Sequence, residues 1–428
     1  WTHFLYGPDN NAVSKDTRVG PPQRMQWVAG PPYARSHEFT SSMAGMVSAG
    51  GRIFYIWDEG PIGQPDRRFP PEWKLIARDG FNGALLWKRP MPNWGWRQWH
   101  RAERWDEPRE RAAMLRQLPH TTPRRLVGSA EKLYITLGYE APVSVLDTVT
   151  GKELSVLEDT EGTDEILLDN GVLFLVIRDT DRSRQEPNRD FRLSRNPGHI
   201  AAFDAETGKK RWETDSRPIS RLSLASRNRH LYFATGNQVV CLDGTTGEDR
   251  WTSEPIETGG WIGTLVATDR VVAVSCGPVK AREIEKRGYQ WIRYHQAHAF
   301  SAETGEHLWA GPMYRGPSGD GKDIFYIDGL FLFGVDNKDN LPCHFDDTTT
   351  RRVGYDPVTG EAVRTVSVAK LTSPGHHYRC YRSKATERFL LLPKRGVEFL
   401  DLRGKDHMRH DWLRAPCIYG FLPANGML

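Results

Sequence analysis

The chain has 428 residues, with 58 Lys and Arg against 54 Asp and Glu and a net charge of +4. So small an excess among so many charges argues against a nucleic-acid surface, yet it tolerates an anionic ligand. Only 38% of residues are hydrophobic, 15 of them Trp, so the core must be economical and lean on large aromatic plates. No apolar run is long enough for a membrane helix. Cys241, Cys276, Cys343, Cys380 and Cys417 are scattered, with no CxxC, so the sequence contains no disulfide framework, zinc knuckle or haem attachment site.

Taken in order, residues 1–26 read as irregular and rich in Gly, Pro and polar groups. Gly20-Pro-Pro-Gln-Arg-Met-Gln-Trp27 resembles the entry into a first outer strand. Strands are then expected around 41–47, 51–57 and 73–77, before a turn at Asp79. From there the chain repeats itself. Asp204-Ala-Glu-Thr-Gly-Lys-Lys-Arg-Trp212 recurs as Asp243-Gly-Thr-Thr-Gly-Glu-Asp-Arg-Trp251 and as Ser301-Ala-Glu-Thr-Gly-Glu-His-Leu-Trp309. Looser copies begin at Asp79, Asp147 and Asp356. Each copy is the signature of a β-hairpin. Gly supplies the positive φ of the turn, Asp can bond the turn's own amides, and the closing Trp can pack on a neighbouring copy. The shortest interval, from Asp204 to Asp243, approaches the roughly 40–50 residues of a four-stranded propeller blade.

Before each copy comes a turn dipeptide and an apolar strand, as in Asn170-Gly-Val-Leu-Phe-Leu, Arg229-His-Leu-Tyr-Phe and Asp328-Gly-Leu-Phe-Leu-Phe. Glu387-Arg-Phe-Leu-Leu-Leu and Gly396-Val-Glu-Phe-Leu-Asp401 make a seventh. Outer-strand markers are expected at Trp27, Trp87, Leu154, Trp212, Trp251, Trp309, Val363 and Trp412. The reading is an all-β propeller with an irregular segment at 1–26, seven four-stranded blades over 27–411, and the start of a truncated eighth blade at 412–428. The chain is accordingly expected to be part of a longer protein, or to receive its remaining strands from elsewhere.

The Asp-x-x-Thr-Gly-x-x-x-Trp repeat resembles the pyrroloquinoline-quinone (PQQ) repeat of quinoprotein alcohol dehydrogenases and of the lipoprotein BamB. The first 130 residues, including Thr2-His-Phe-Leu-Tyr-Gly-Pro-Asp-Asn-Asn11 and Ala77-Arg-Asp-Gly-Phe-Asn-Gly-Ala-Leu-Leu-Trp, resemble planctomycete-type bacterial proteins with this repeat, whose propellers are often fused to other domains. The resemblance implies a PQQ-like β-propeller with a tryptophan docking motif, in a periplasmic or extracellular setting. It does not carry the quinone with it. The dehydrogenases usually show a Cys-Cys pair and a calcium site of Glu, Asn and Asp, and neither is recognisable here, so no cofactor is predicted: PQQ and calcium are unsupported, and a PQQ-dependent dehydrogenase ranks third, behind a binding scaffold and a polysaccharide-active enzyme.

Insertions at 58–72, 178–198, 277–296 and 334–352, and the connection 88–123, all belong on one face of such a propeller, while the Thr-Gly turns on the other are tight. Function concentrates on loops held by a rigid scaffold, so the loop-rich face is the expected binding face, for an unknown protein or carbohydrate. At the channel mouth there, the starts of the innermost strands should gather His37, Glu38, Arg124, Arg125, Asp164, Glu165, Arg221, Trp261, Lys322, His376, His377, Arg379, Tyr381 and Arg382. In Gly375-His-His-Tyr-Arg-Cys-Tyr-Arg382, strand alternation puts His377, Arg379 and Tyr381 on one face. As base, anion clamp and acid, these three would suit β-elimination on an acidic sugar; as structural groups they would fill the channel with hydrogen bonds. Trp94, Trp96 and Trp99 alternate with Arg and His, and would either stack on sugar rings or form a lid packed on the blades. His295 and His298 fall on opposite strand faces, which disfavours shared metal ligation, and the acids at 336–339 and 346–347 read as solvated, so no metal site is expected.

Overall fold

The structure, a computed structural model, describes residues 1–30, 41–60, 71–95, 98, 119, 121–178, 197–258, 262–277, 295–313, 323–335, 351–367, 371, 381–392, 396–413, 415–416 and 419–428. Seven sheets follow one another along the chain, each built on four antiparallel strands in sequence order, and the seventh gains Val13–Ser14 as a fifth, parallel strand. They are the seven expected blades: 43–90, 126–156, 163–213, 225–252, 262–313, 325–367 and 384–410.

Strand alternation decides where the core sits. In blade four, Tyr232, Ala234 and Cys241 turn towards blade five and share a cluster with Leu265, Val272 and Phe300. Their neighbours Leu231, Phe233, Val240 and Leu242 turn the other way and pack on Phe174 and Val176 of blade three. Each sheet therefore buries both faces against its neighbours, and the hydrophobic core is a series of seams.

The repeated hairpin is the clasp across each seam. Asp204 Oδ1 accepts hydrogen bonds from the amides of Glu206 and Thr207, and Asp147, Asp243 and Asp356 do the same in their own turns. The turn glycines are left-handed, with φ between 68° and 80° at Gly151, Gly208, Gly247, Gly305 and Gly360. In blades one, three, four and five an indole lies on the turn glycine of the next blade. A Cβ built on Gly247 would be 2.5 Å from Trp212, one on Gly305 2.4 Å from Trp251, and one on Gly360 2.5 Å from Trp309. In each pair the indole N–H also donates to the carbonyl beside the turn, at Gly244, Ala302 and Pro357. Trp87 makes the same contacts with Gly151 and Thr148.

Three expected outer-strand markers stand elsewhere. Leu154, Val363 and Trp412 are exposed, Trp412 by 66%. The docking position is the residue paired two places before the turn Asp or Ser, as Trp212 pairs with Ala202. That register brings Ser155, Arg364 and Met408 to the position in blades two, six and seven. In blade two, Leu157 covers Gly208 instead.

Residues 1–12 make one circuit of the channel rim, which the composition of this segment did not suggest. The inner edge of each blade's first strand offers backbone N–H groups with no sheet partner. The segment accepts one from every blade in turn. Trp1 O accepts from Ser48 N, Thr2 O from Gly128 N, Pro8 O from Ser226 N, Asp9 O from Ala267 N and Ala12 O from Ala385 N. His3 Nε2 accepts from Leu168 N, and Asn11 Oδ1 from Tyr326 N. Val13–Ser14 then pairs in parallel with Lys384–Thr386 of blade seven. Asn10 is buried, its side-chain amide donating to Leu224 O and Leu265 O. These contacts fall at the ends of the first strands, so the circuit lies on the tight-turn face.

Candidate functional site

The other end of the channel, on the loop-bearing face, is charged. A short 3-10 turn, Thr122–Arg125, delivers Arg124 and Arg125 to the start of blade two's first strand. Asp164 and Glu165 open the first strand of blade three, and Arg178 closes its second. Arg221, Asp323 and Arg382 immediately precede the first strands of blades four, six and seven.

Asp164 is the centre of this group. It accepts hydrogen bonds from Arg125 (2.9 Å), Arg178 (3.0 Å) and Thr121 (2.8 Å), and Arg221 Nε stands 3.4 Å away. Burial would raise its pKa, but Arg221, Arg125 and Arg178 outweigh burial and hold the carboxyl well below the usual range. Glu165 behaves oppositely. Burial dominates and raises it, although Arg124 lies 3.5 Å away and Leu222 N donates at 2.6 Å. Arg124 itself donates to the carbonyls of Leu222 and Leu224. Burial, with some help from Arg382, brings it down to about 10. Arg382 bridges three blades, pairing with Asp323 and donating to Thr264.

Among the described residues, five guanidinium groups thus meet three carboxylates, and the Nε atoms of Arg124 and Arg125 have no acceptor. Arg221 is the least enclosed of the five, its side chain 14% exposed. The arrangement has the chemistry of a seat for an acidic group, since guanidinium pairs bidentately with carboxylate, sulfate or phosphate.

Of the residues expected at this mouth, Arg124, Arg125, Asp164, Glu165, Arg221 and Arg382 come together. Tyr381 is close in sequence but turned into blade seven. Its hydroxyl donates to Gly396 O and its ring meets Phe421 edge-on. Trp94, expected on the loop as a stacking plate or a lid, is 2% exposed and packs in the seam between blades one and two. So placed, Trp94 leaves no open indole face. His37, Glu38, Trp96, Trp99, Trp261, Lys322, His376, His377 and Arg379 lie outside the described residues. Arg178, Asp323 and Thr264 were not anticipated. Only Asp323, next to Lys322, carried a positional hint. Of the two histidines at 295 and 298, His298 pairs across the strand with His307, at 2.9 Å.

Seven sheets in a ring, clasped by Asp/Thr-Gly turns under indoles, define a β-propeller of PQQ-like repeats. Residues 196–369 match the family model described as "Outer membrane protein assembly factor BamB". No curated protein matches the chain. Among solved structures, the computationally designed protein Ika8 aligns at 12% identity and a TM-score of 0.53, covering 90% of each chain. A europium-containing methanol dehydrogenase aligns at 11% identity and a TM-score of 0.53, over 95% of this chain and 84% of that one. The quinohemoprotein alcohol dehydrogenase of Comamonas testosteroni gives 12% and 0.51, over 97% and 73%. At these identities the likeness is one of fold. Among the described residues no helix is long and apolar enough to cross a membrane.

Proposed function

We propose that this propeller is a binding scaffold whose loop-bearing face takes an acidic ligand, such as an acidic carbohydrate, at the channel mouth. The observation that carries the reading is the excess of buried guanidinium over carboxylate there, with two Nε donors unused among the described residues. Burying like charges together is costly, and an anionic group offsets that cost. The description of the matching family, an outer membrane assembly factor, supports a place in the cell envelope. Quinone redox chemistry is not part of this reading. Asp164, Glu165 and Asp323, the three carboxylates described at the mouth, are each paired with an arginine.

The test is calorimetric titration with a uronic-acid oligosaccharide, a sulfated one and their neutral counterpart. Binding is expected for the acidic sugars alone, weakening with salt, and Arg221→Gln should weaken it at least tenfold. Equal behaviour of neutral and acidic sugars, or an unaffected Arg221→Gln, overturns the proposal.

A further inference from the structure

Asp164 and Glu165 stand side by side at the mouth, but the chain equips them differently. Both oxygens of Asp164 accept hydrogen bonds, Oδ1 from Arg125 and Thr121 and Oδ2 from Arg178. Glu165 is 1% exposed, and only its Oε1 is hydrogen-bonded, by Leu222 N at 2.6 Å. Its Oε2 has no donor among the described residues. Arg124 Nη1 approaches to 3.5 Å, but it donates to Leu224 O while Nη2 donates to Leu222 O.

Leu222 has a left-handed φ of 62°, a conformation that L-residues disfavour. Glu165 holds its N–H and Arg124 its carbonyl. This strained residue directly follows Arg221, the most open of the five arginines, and strain of this kind collects where ligands are held. A proton added at Oε2 leaves Oε1 able to accept from Leu222 N. Glu165 can therefore be neutralised without releasing the turn.

The charged groups bearing on Glu165 are Arg124 from the turn Thr122–Arg125, Arg178 from blade three's second strand and Asp164 from its own. Burial is the largest influence and opposes the charge, the arginines favour it, and Asp164 opposes it. The net result holds the carboxyl above its ordinary value of 4.5. With Glu165 ionised, five guanidinium groups face three carboxylates; with it neutral they face two. A bound anion and the Glu165 charge are thus alternative counter-ions for the same arginines, and two like charges in one enclosed place repel.

We propose that the mouth takes up its anionic ligand together with a proton, which Glu165 accepts at Oε2. This rests on the reading of the mouth as a seat for an acidic group, and adds the device that regulates it. Binding strengthens in acid, because Glu165 gains its proton as pH falls through its raised value and a bound anion raises that value further. Asp164, held well below the usual range, keeps its charge throughout. A rise in pH favours release.

The probe is a sulfated oligosaccharide, whose own charge is constant between about pH 5 and 8. Calorimetric titration of the 428-residue chain in buffers of different ionisation enthalpy counts the protons that enter with the ligand. Net proton uptake is expected, with affinity at least about threefold higher at the acid end of the range. Glu165→Gln assigns the proton, since its amide oxygen can keep the Leu222 bond. It should lose the uptake and, at the alkaline end, bind at least about threefold more tightly than the wild type. The wild-type proton count decides the matter even if the variant does not fold. Binding without proton uptake, or uptake unchanged in Glu165→Gln, overturns this proposal and leaves the anion seat standing. No binding of the sulfated sugar at any pH overturns both.

Discussion

Replacing Gly247 with alanine probes the docking geometry that builds the ring. Gly247 has a φ of 80°, and an added Cβ would stand 2.5 Å from Cε3 of Trp212. Two costs combine. A left-handed backbone costs an L-residue about 1–2 kcal/mol. Relieving the contact drives the indole off the turn, and overpacking of this kind costs about 1–3 kcal/mol. The displaced indole also strains its 3.2 Å bond to Gly244 O. Gly171 separates the two costs, because its φ is 76° but nothing lies within 4 Å of an added Cβ. In urea unfolding followed by circular dichroism, Gly247→Ala should therefore lose about 1–3 kcal/mol more than Gly171→Ala. In a Trp212→Ala background that excess should vanish, since the obstructing plate is gone. Equal losses in the two alanine variants, or an excess that persists without the indole, would refute the account of the clasp.

Asp164→Asn leaves Arg125, Arg178 and Arg221 around a neutral amide, and should cost about 3–5 kcal/mol in the same assay. The wild-type carboxyl is depressed in the folded state, so its contribution is fully present above the unfolded value of about 3.9 and is lost as pH falls below it. A stability profile from pH 5 downwards should show this acid slope reduced in Asp164→Asn. Asn10→Ala should cost about 1–3 kcal/mol through the buried Leu265 carbonyl it strands. Leu224 O keeps Arg124 as a donor, so a second loss of that size is not expected.

The blades were legible because each repeats its alternation and its turn chemistry, and both act locally. The docking residues were legible only where residue type and register agree. In blade seven the fourth strand pairs Met408 with Phe399, seven residues after Asp401 rather than opposite a Trp, so the nearby Trp412 misleads. Six mouth residues could be placed because they lie at the starts of first strands, which hairpin order locates. Arg178 sits at the far end of a second strand and reads as the beginning of a loop. The rim circuit left no trace in the sequence because five of its seven blade contacts are made by backbone carbonyls, which every residue has. Trp94 shows the converse limit, since an indole written among Arg and His looks the same whether it meets ligand or core.

The circuit formed by residues 1–12 bears on how this ring is made and how it opens. A repeat array is stabilised neighbour by neighbour and can melt from an end. Here residues 1–12 wait for an acceptor site on blade seven, with Ala12 and Ala385 made about 20–80 s apart at ribosomal speeds of roughly 5–20 residues per second. Once shut, loosening any one blade breaks a bond in a thread shared by all, so amide exchange along the seven first strands should proceed as a single event rather than blade by blade.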